Sequence, residues 1–148
     1  MIENTKYWII VVSKDHVKSA LTKGIAQTCH GKALPLKRMR KNDFIIYYSG
    51  KQTVGKYEVC QEFTGIGKVL DDEIYQLQVS EDFCPSRRKI EFLPGKDVSI
   101  LPLIPGLNFI HDKKNWGYPF RFGMLEIDRH DFELISSQML QKEYVQKY

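Results

Sequence analysis

An α+β fold is predicted: a twisted, mostly antiparallel sheet of about six strands, curling toward a barrel, with flanking helices near the two ends of the chain. Two observations predict it. Strand-like segments come in runs instead of alternating with helical ones, which disfavours a parallel doubly wound sheet. Helical periodicity appears in only two places, after Ser13 and after Asp128. A length of 148 residues, 43% of them hydrophobic and 27% charged, suits a single soluble globular domain, 1–148, with its own core.

The elements follow in order. Tyr7 to Val12 is an unbroken β-branched and aromatic run, the pattern of a strand buried on both faces. Ser13 can cap a helix beginning near Asp15, with Val17 and Leu21 on one face and Gly24 at its end. Asn42-Asp43 turns the chain into a strand from Phe44 to Ser49, and Lys51 to Lys56 is a surface loop. Cys60 to Val69 is a long extended element whose Gly65 and Gly67 mark a bulge or a close backbone approach. Asp71-Asp72-Glu73 reads as a hairpin turn into a strand over Tyr75 to Val79, which alternates with period two. Beyond Pro85, Arg88 to Leu93 alternates again, and Pro94 to Gly106, with three prolines, reads as an irregular crossing. Met124 to Ile127 is the last strand. Asp128 then caps a terminal helix whose inner face carries Phe132, Ile135 and Met139.

Charge is mild overall, at +4, and uneven: residues 1–41 hold nine Lys/Arg against Glu3 and Asp15 alone. Such a surplus draws phosphate closer without holding it tightly at physiological salt. The three cysteines are odd in number and lack CxxC spacing, which suits a reducing cytoplasm and disfavours a disulfide scaffold or structural zinc. No basic leader with a long apolar stretch opens the sequence, and the run Trp8 to Val12 is too short to span a bilayer. The expectation is a soluble, cytoplasmic monomer that needs no membrane.

Catalytic and metal chemistry find little support. Cys29 and His30 are adjacent, so in extended chain they point apart and form no thiolate–imidazolium couple. His16, His30, His111 and His130 show no HxH or HxxxH spacing, and His130-Asp131 reads as an exposed polar pair. No metal, no cofactor and no catalytic residue are expected. Gly65-Ile66-Gly67-Lys68 has no helix start behind it and reads as a strand bulge, not a phosphate cradle. Trp8 reads as core. Tyr47 and Tyr48 face opposite sides of their strand, and the sequence does not say which faces a site. Trp116, between Lys113-Lys114-Asn115 and Gly117, has no local packing motive and reads as exposed or pocket-lining. Cations beside flat aromatics suit a partner with both phosphate and a stackable base.

These residues also carry a resemblance. The chain resembles the EVE domain, a member of the PUA-like superfamily related to the YTH domain. The resemblance rests on Trp8 through Ser13, Gly24-x-x-Gln27, His30-Gly31-Lys32, Leu36-x-Arg38-Met39, Asp43 and Tyr47-Tyr48-Ser49. Further on it includes Ile66-Gly67, Pro85-x-Arg87-Arg88, Leu107-x-Phe109-Ile110, Trp116, Phe120, Phe122-Gly123 and Asp131-Phe132-x-x-Ile135. Asn42-Asp43 stands where many relatives have Gly-Asp, and asparagine also tolerates a left-handed turn. The resemblance implies a PUA-like pseudobarrel with a pocket for a modified nucleobase in DNA or RNA.

The expected site combines both lines of argument. Ser13, Lys14, His30, Lys32, Tyr48, Ser49, Trp116 and Phe120 are the candidate ligand-binding residues. Trp116 stacks on the base, and Ser13 and Ser49 bond its edge. Arg38, Arg40, Arg87, Arg88 and Arg121 are the candidate contacts to the nucleic-acid backbone. The expected function is non-enzymatic binding of a modified, for example methylated, base. The alternatives are a small-molecule or nucleotide sensor using the same pocket, and an enzyme on modified bases that would need His16, His30 or Asp43 as acid or base.

Overall fold

The computed structural model describes residues 5–27 and 34–140, the side chain of Leu34 excepted. Strand β1 (Tyr7–Val11) leads into helix α1 (Lys14–Lys23), a short strand β2 (Ile25–Gln27) and a one-turn helix α2 (Leu34–Lys37). Strands β3 (Phe44–Lys51), β4 (Val59–Val69), β5 (Tyr75–Gln76), β6 (Ser86–Phe92) and β7 (Val98–Ser99) follow. Two 3₁₀ helices (Leu101–Gly106 and Tyr118–Phe122), β8 (Met124–Ile127) and α3 (Arg129–Met139) complete the order. The eight strands form one sheet in the order β2-β6-β4-β3-β1-β8, with β5 beside β6 and β7 beside β4. β1 and β3 are parallel, with Tyr7 opposite Phe44 and Val11 opposite Tyr48, and the other pairs are antiparallel. The α+β class and the curled sheet expected from the sequence are found. β2, α2 and β7 are additions, each too short to set up a readable period.

The sheet is covered on both faces because its central strands are apolar on both. Trp8 and Ile9, Ile45 and Ile46, and Tyr47 and Tyr48 are buried pairs that divide between two cores. One core lies beneath α3, which contributes Phe132, Ile135 and Met139, each worth about 1.5–3 kcal/mol relative to exposure. The other lies beneath α1 and the α2 segment, through Val17, Leu36 and Met39. Asp128 caps α3 as expected, accepting from the Asp131 N–H. Gly24 closes α1 in the left-handed region at φ 68°.

The paired glycines of β4 have separate reasons. Gly65 faces Tyr47 where the register slips between Tyr47 and Tyr48, the expected bulge. Gly67 is a close approach: a Cβ there would lie 2.7 Å from Ile90 Cγ2 and 2.9 Å from the Glu91 carbonyl. Asp43 is buried and accepts from Lys6 N–H (3.0 Å), Arg40 N–H (2.9 Å) and Trp8 Nε1–H (2.9 Å). Asn42 before it takes the left-handed conformation at φ 76°, as asparagine tolerates.

Three local expectations are corrected. Asp71 to Glu73 is not a hairpin turn, because β4 and β5 do not pair; β5 pairs with β6. The strand expected over Tyr75 to Val79 keeps its ladder only at Tyr75–Gln76. Beyond it Leu77 N–H reaches Pro85 O and Val79 N–H reaches Phe83 O, while Pro85 has no N–H to return, and Leu77 and Val79 stay exposed. His130 is exposed but Asp131 is fully buried, its two oxygens accepting Asn108 N–H and Phe109 N–H. Among the described residues no helix is long and apolar enough to cross a membrane.

Candidate functional site

Two cavities flank the C-terminal end of β1, one on each face of the sheet. Strand alternation creates the division: Val11 and Tyr48 line the larger cavity, Val12 and Tyr47 the smaller.

The larger cavity is an open groove of about 1000 Å³. Tyr48 lies at its base, stacked on Phe120 at 3.9 Å between ring centres and 10° between planes, with Phe109 edge-on to Phe120. Half-buried Trp116 forms a wall. Its turn is built by Asp112, whose carboxylate accepts the Asn115 side-chain amide, Lys114 N–H and Asn115 N–H, which hold that carboxyl below its ordinary pKa range. Lys113 ties the turn down by donating to the carbonyls of Ile104 (3.0 Å) and Leu107 (2.7 Å). Arg121 sits at the rim with its guanidinium 5.5 Å from the Tyr118 ring centre. Opposite, Gln61 takes a left-handed φ of 56° at a second register slip between β3 and β4.

The smaller cavity, about 410 Å³, lies between α1, β2 and the Phe83 turn. Tyr47 and Phe83 supply aromatic surface, and His16, Ser19, Lys23 and Gln27 supply polar groups. The Gln27 amide is oriented: its Oε1 accepts from Arg87 Nε at 2.7 Å. Guanidinium only donates, so the oxygen must face Arg87, and the amide NH₂ has no protein partner among the described residues. Burial pushes the Tyr47 phenol well above the ordinary tyrosine range, and it stays a neutral donor, to Ile25 O at 3.4 Å.

Of the residues expected from the sequence, Tyr48, Trp116, Phe120 and Arg121 come together in the larger cavity. His30 and Lys32 lie outside the described residues. Arg38 and Arg40 are exposed near the start of β3, away from both cavity linings, with Arg38 stacked 4.9 Å from the Trp8 ring centre. The rest line neither cavity, and Ser49, Arg87 and Arg88 are corrected. Ser49 is fully buried, its hydroxyl donating to Val12 O (2.7 Å) and bonded to Thr64 Oγ1 (2.7 Å), so it cannot meet a ligand edge. Ser13 occupies the α1 cap position, but its hydroxyl donates to Asp15. Lys14 is held in ion pairs with Asp97 (3.2 Å) and Glu62 (3.6 Å), and the Asp97 bond raises its pKa. Arg87 and Arg88 are buried. Arg87 positions Gln27, and Arg88 donates to the carbonyls of Leu36, Met39 and Asp71, fastening the α2 segment to β6. Neither is placed for phosphate. The Cys60 thiol is pushed up to about 11 by burial and by Glu62, which disfavours its thiolate at neutral pH.

Sequence reasoning missed Gln61, Phe83 and the Gln27–Arg87 pair as site features. Gly24 ending α1 was the signal for β2, but three residues carry too short an alternation to read.

The model of the EVE domain matches residues 6–138. The chain belongs to the EVE domain family. A Bacillus licheniformis relative named "UPF0310 protein in gntR 5'region" is 50% identical over 128 residues, covering 86% of this chain and 87% of that one. A UPF0310 protein of Mycolicibacterium vanbaalenii is 46% identical, covering 90% and 92%. Among solved structures, a hypothetical protein from Leishmania major matches this EVE domain at a TM-score of 0.58 and 10% identity, covering 93% of this chain and 96% of that one. At that identity the likeness is one of fold.

Proposed function

We propose that this EVE domain is a non-enzymatic binding module for DNA or RNA carrying a modified base, and that the base turns out of its strand into the smaller cavity. The observation that carries the reading is the oriented Gln27 amide in a nucleoside-sized space. About 410 Å³ lies toward the lower end of ligand sites, which run from roughly 300 to 1,000 Å³. Tyr47 and Phe83 offer flat apolar surface, and the Gln27 NH₂ offers a donor to a ring nitrogen or carbonyl on the base edge. A methyl group filling an apolar corner adds about 0.8 kcal/mol, so discrimination of a methylated base by that contact alone is less than tenfold. Exposed Arg38 and Arg40 are available to phosphate.

Absence of catalysis is part of the proposal. Asp43 is enclosed by three donors, and Cys60 is held as a thiol. Modified oligonucleotides should therefore be recovered unchanged by mass spectrometry.

The test is Gln27→Glu. Glutamate keeps an acceptor for Arg87, so the fold survives, but the donor facing the cavity becomes an acceptor. Binding of decamers carrying one 5-methylcytosine or N6-methyladenine, in DNA and RNA, should weaken about 10- to 100-fold. Affinity of the parent should fall with rising salt, and in Arg38→Gln or Arg40→Gln the log–log slope should lessen by about 0.7–0.9 for each phosphate no longer neutralised. Equal binding by Gln27→Glu removes the base from the smaller cavity. Salt-independent binding, with free nucleoside taken as well as the oligonucleotide, replaces this reading by a small-molecule sensor.

A further inference from the structure

We infer that the larger cavity is a second nucleobase site, which takes a base of a single-stranded chain by stacking on Trp116. The inference rests on the nucleic-acid reading above and assigns the other face of the sheet.

The wall is built to present a flat face. The Asp112 turn and the Lys113 clamp fix the backbone around Trp116, so the half-buried indole needs little further ordering when a ligand arrives. Behind it Tyr48 and Phe120 are already stacked on each other, forming a rigid aromatic base. The lining is rich in faces and poor in oriented edges: no side chain in it is set by a buried partner as Gln27 is by Arg87 in the smaller cavity. Such a surface stacks any base and reads none.

Charge selects the class of occupant. Lys114 and Arg121 stand at the rim with no carboxylate partner among the described residues, and His111 is exposed beside them. Asp112, the acid at this rim, is consumed by its own turn. The cavity therefore offers aromatic faces beneath unpaired cations, which complements a single-stranded, anionic, base-bearing chain. Its volume, about 1000 Å³ against about 410 Å³, leaves room for more than one ring. Position separates this site from the first. Val11 and Val12 are consecutive, as are Tyr48 and Tyr47, so the two cavities sit back to back at one end of β1.

Tryptophan fluorescence tests this directly. The chain has two tryptophans, and Trp8 is 2% exposed with its indole N–H bonded to Asp43, so ligand-dependent emission reports Trp116. Unmodified (dT)10 and (rU)10, and the same decamers carrying one modified base, are titrated into the parent, Gln27→Glu and Trp116→Leu proteins. Binding is followed separately by anisotropy of labelled decamers. The expected result is quenching of the parent by modified and unmodified decamers alike. Gln27→Glu should keep the quenching while losing preference for the modified base. Trp116→Leu should weaken unmodified decamers about ten- to hundredfold. Binding by anisotropy without quenching overturns the inference while leaving the smaller-cavity reading intact. Quenching without any modified-base preference or Gln27 effect overturns that reading and leaves this one. No binding to any decamer overturns both. Should Trp116→Leu fail to fold, Trp116→Phe and the parent's quenching still decide the matter.

Discussion

Replacing Asp43 should damage the fold while leaving no trace of lost chemistry. Asp43→Ala removes an acceptor from three donors at once: Trp8 Nε1–H, which is buried, and the part-buried amides of Lys6 and Arg40. A bond to a carboxylate contributes about 1.5–3 kcal/mol, but three bonds to one group do not add. The two amides can turn partly to water, whereas the indole N–H sits in the core beneath Arg38 and carries its full desolvation cost. A net loss of about 3–5 kcal/mol follows, a large part of the stability of a domain this size. Asp43→Asn should cost less, because one orientation keeps an oxygen for both Trp8 and Arg40 and sacrifices only Lys6. Urea unfolding followed by tryptophan emission measures both, with a lowered midpoint and an unchanged slope. A loss below about 1 kcal/mol for Asp43→Ala would refute the account of this turn. An Asp43→Asn protein that is stable, binds as the parent does and has lost a turnover present in the parent would make Asp43 a catalytic base.

Two further outcomes follow from the same geometry. Gly67→Ala should destabilise by about 1–3 kcal/mol in a thermal or urea melt, because its Cβ would meet Ile90 and the Glu91 backbone and force β4 from β6; Gly55→Ala, at a left-handed position with open space around it, serves as a strain-only comparison. Asp128→Ala should cost about 1 kcal/mol at neutral pH through the lost cap of α3. The Asp131 N–H, and then the Asn108 amide, hold the Asp128 carboxyl below its ordinary range. Its stabilisation is therefore complete above that range and is lost as pH falls through the folded value, so the variant and the parent should converge in acid.

How much of this was legible depended on whether a residue's role was set locally or by distant chain. The apolar run of β1, the Asp128 cap and the inner face of α3 are local patterns, and each stands where its period puts it. The two tyrosines were legible as a pair facing opposite ways, and the tertiary fold alone says that each faces a cavity. Trp116 was legible by its lack of a packing partner nearby, and the fold supplies the reason: a turn fastened by Lys113 to a 3₁₀ helix holds it at a cavity wall. Arg87 and Arg88 were misjudged for the opposite cause. A cation in sequence looks like surface, but β6 is flanked by β2 and β5, two strands of three and two residues that no pattern announces. Their arrival buries Arg87 and Arg88, and buried guanidinium must find acceptors, which Gln27 and the carbonyls of Leu36, Met39 and Asp71 provide. Ser49 follows the same logic: β3 continues past it to Lys51, so its hydroxyl is enclosed and bonds Val12 O instead of a ligand. Ser49, Arg87 and Arg88 were thus consumed in building the sheet. One of them, Arg87, returns to the site at one remove, by fixing the Gln27 amide on which the proposed recognition depends.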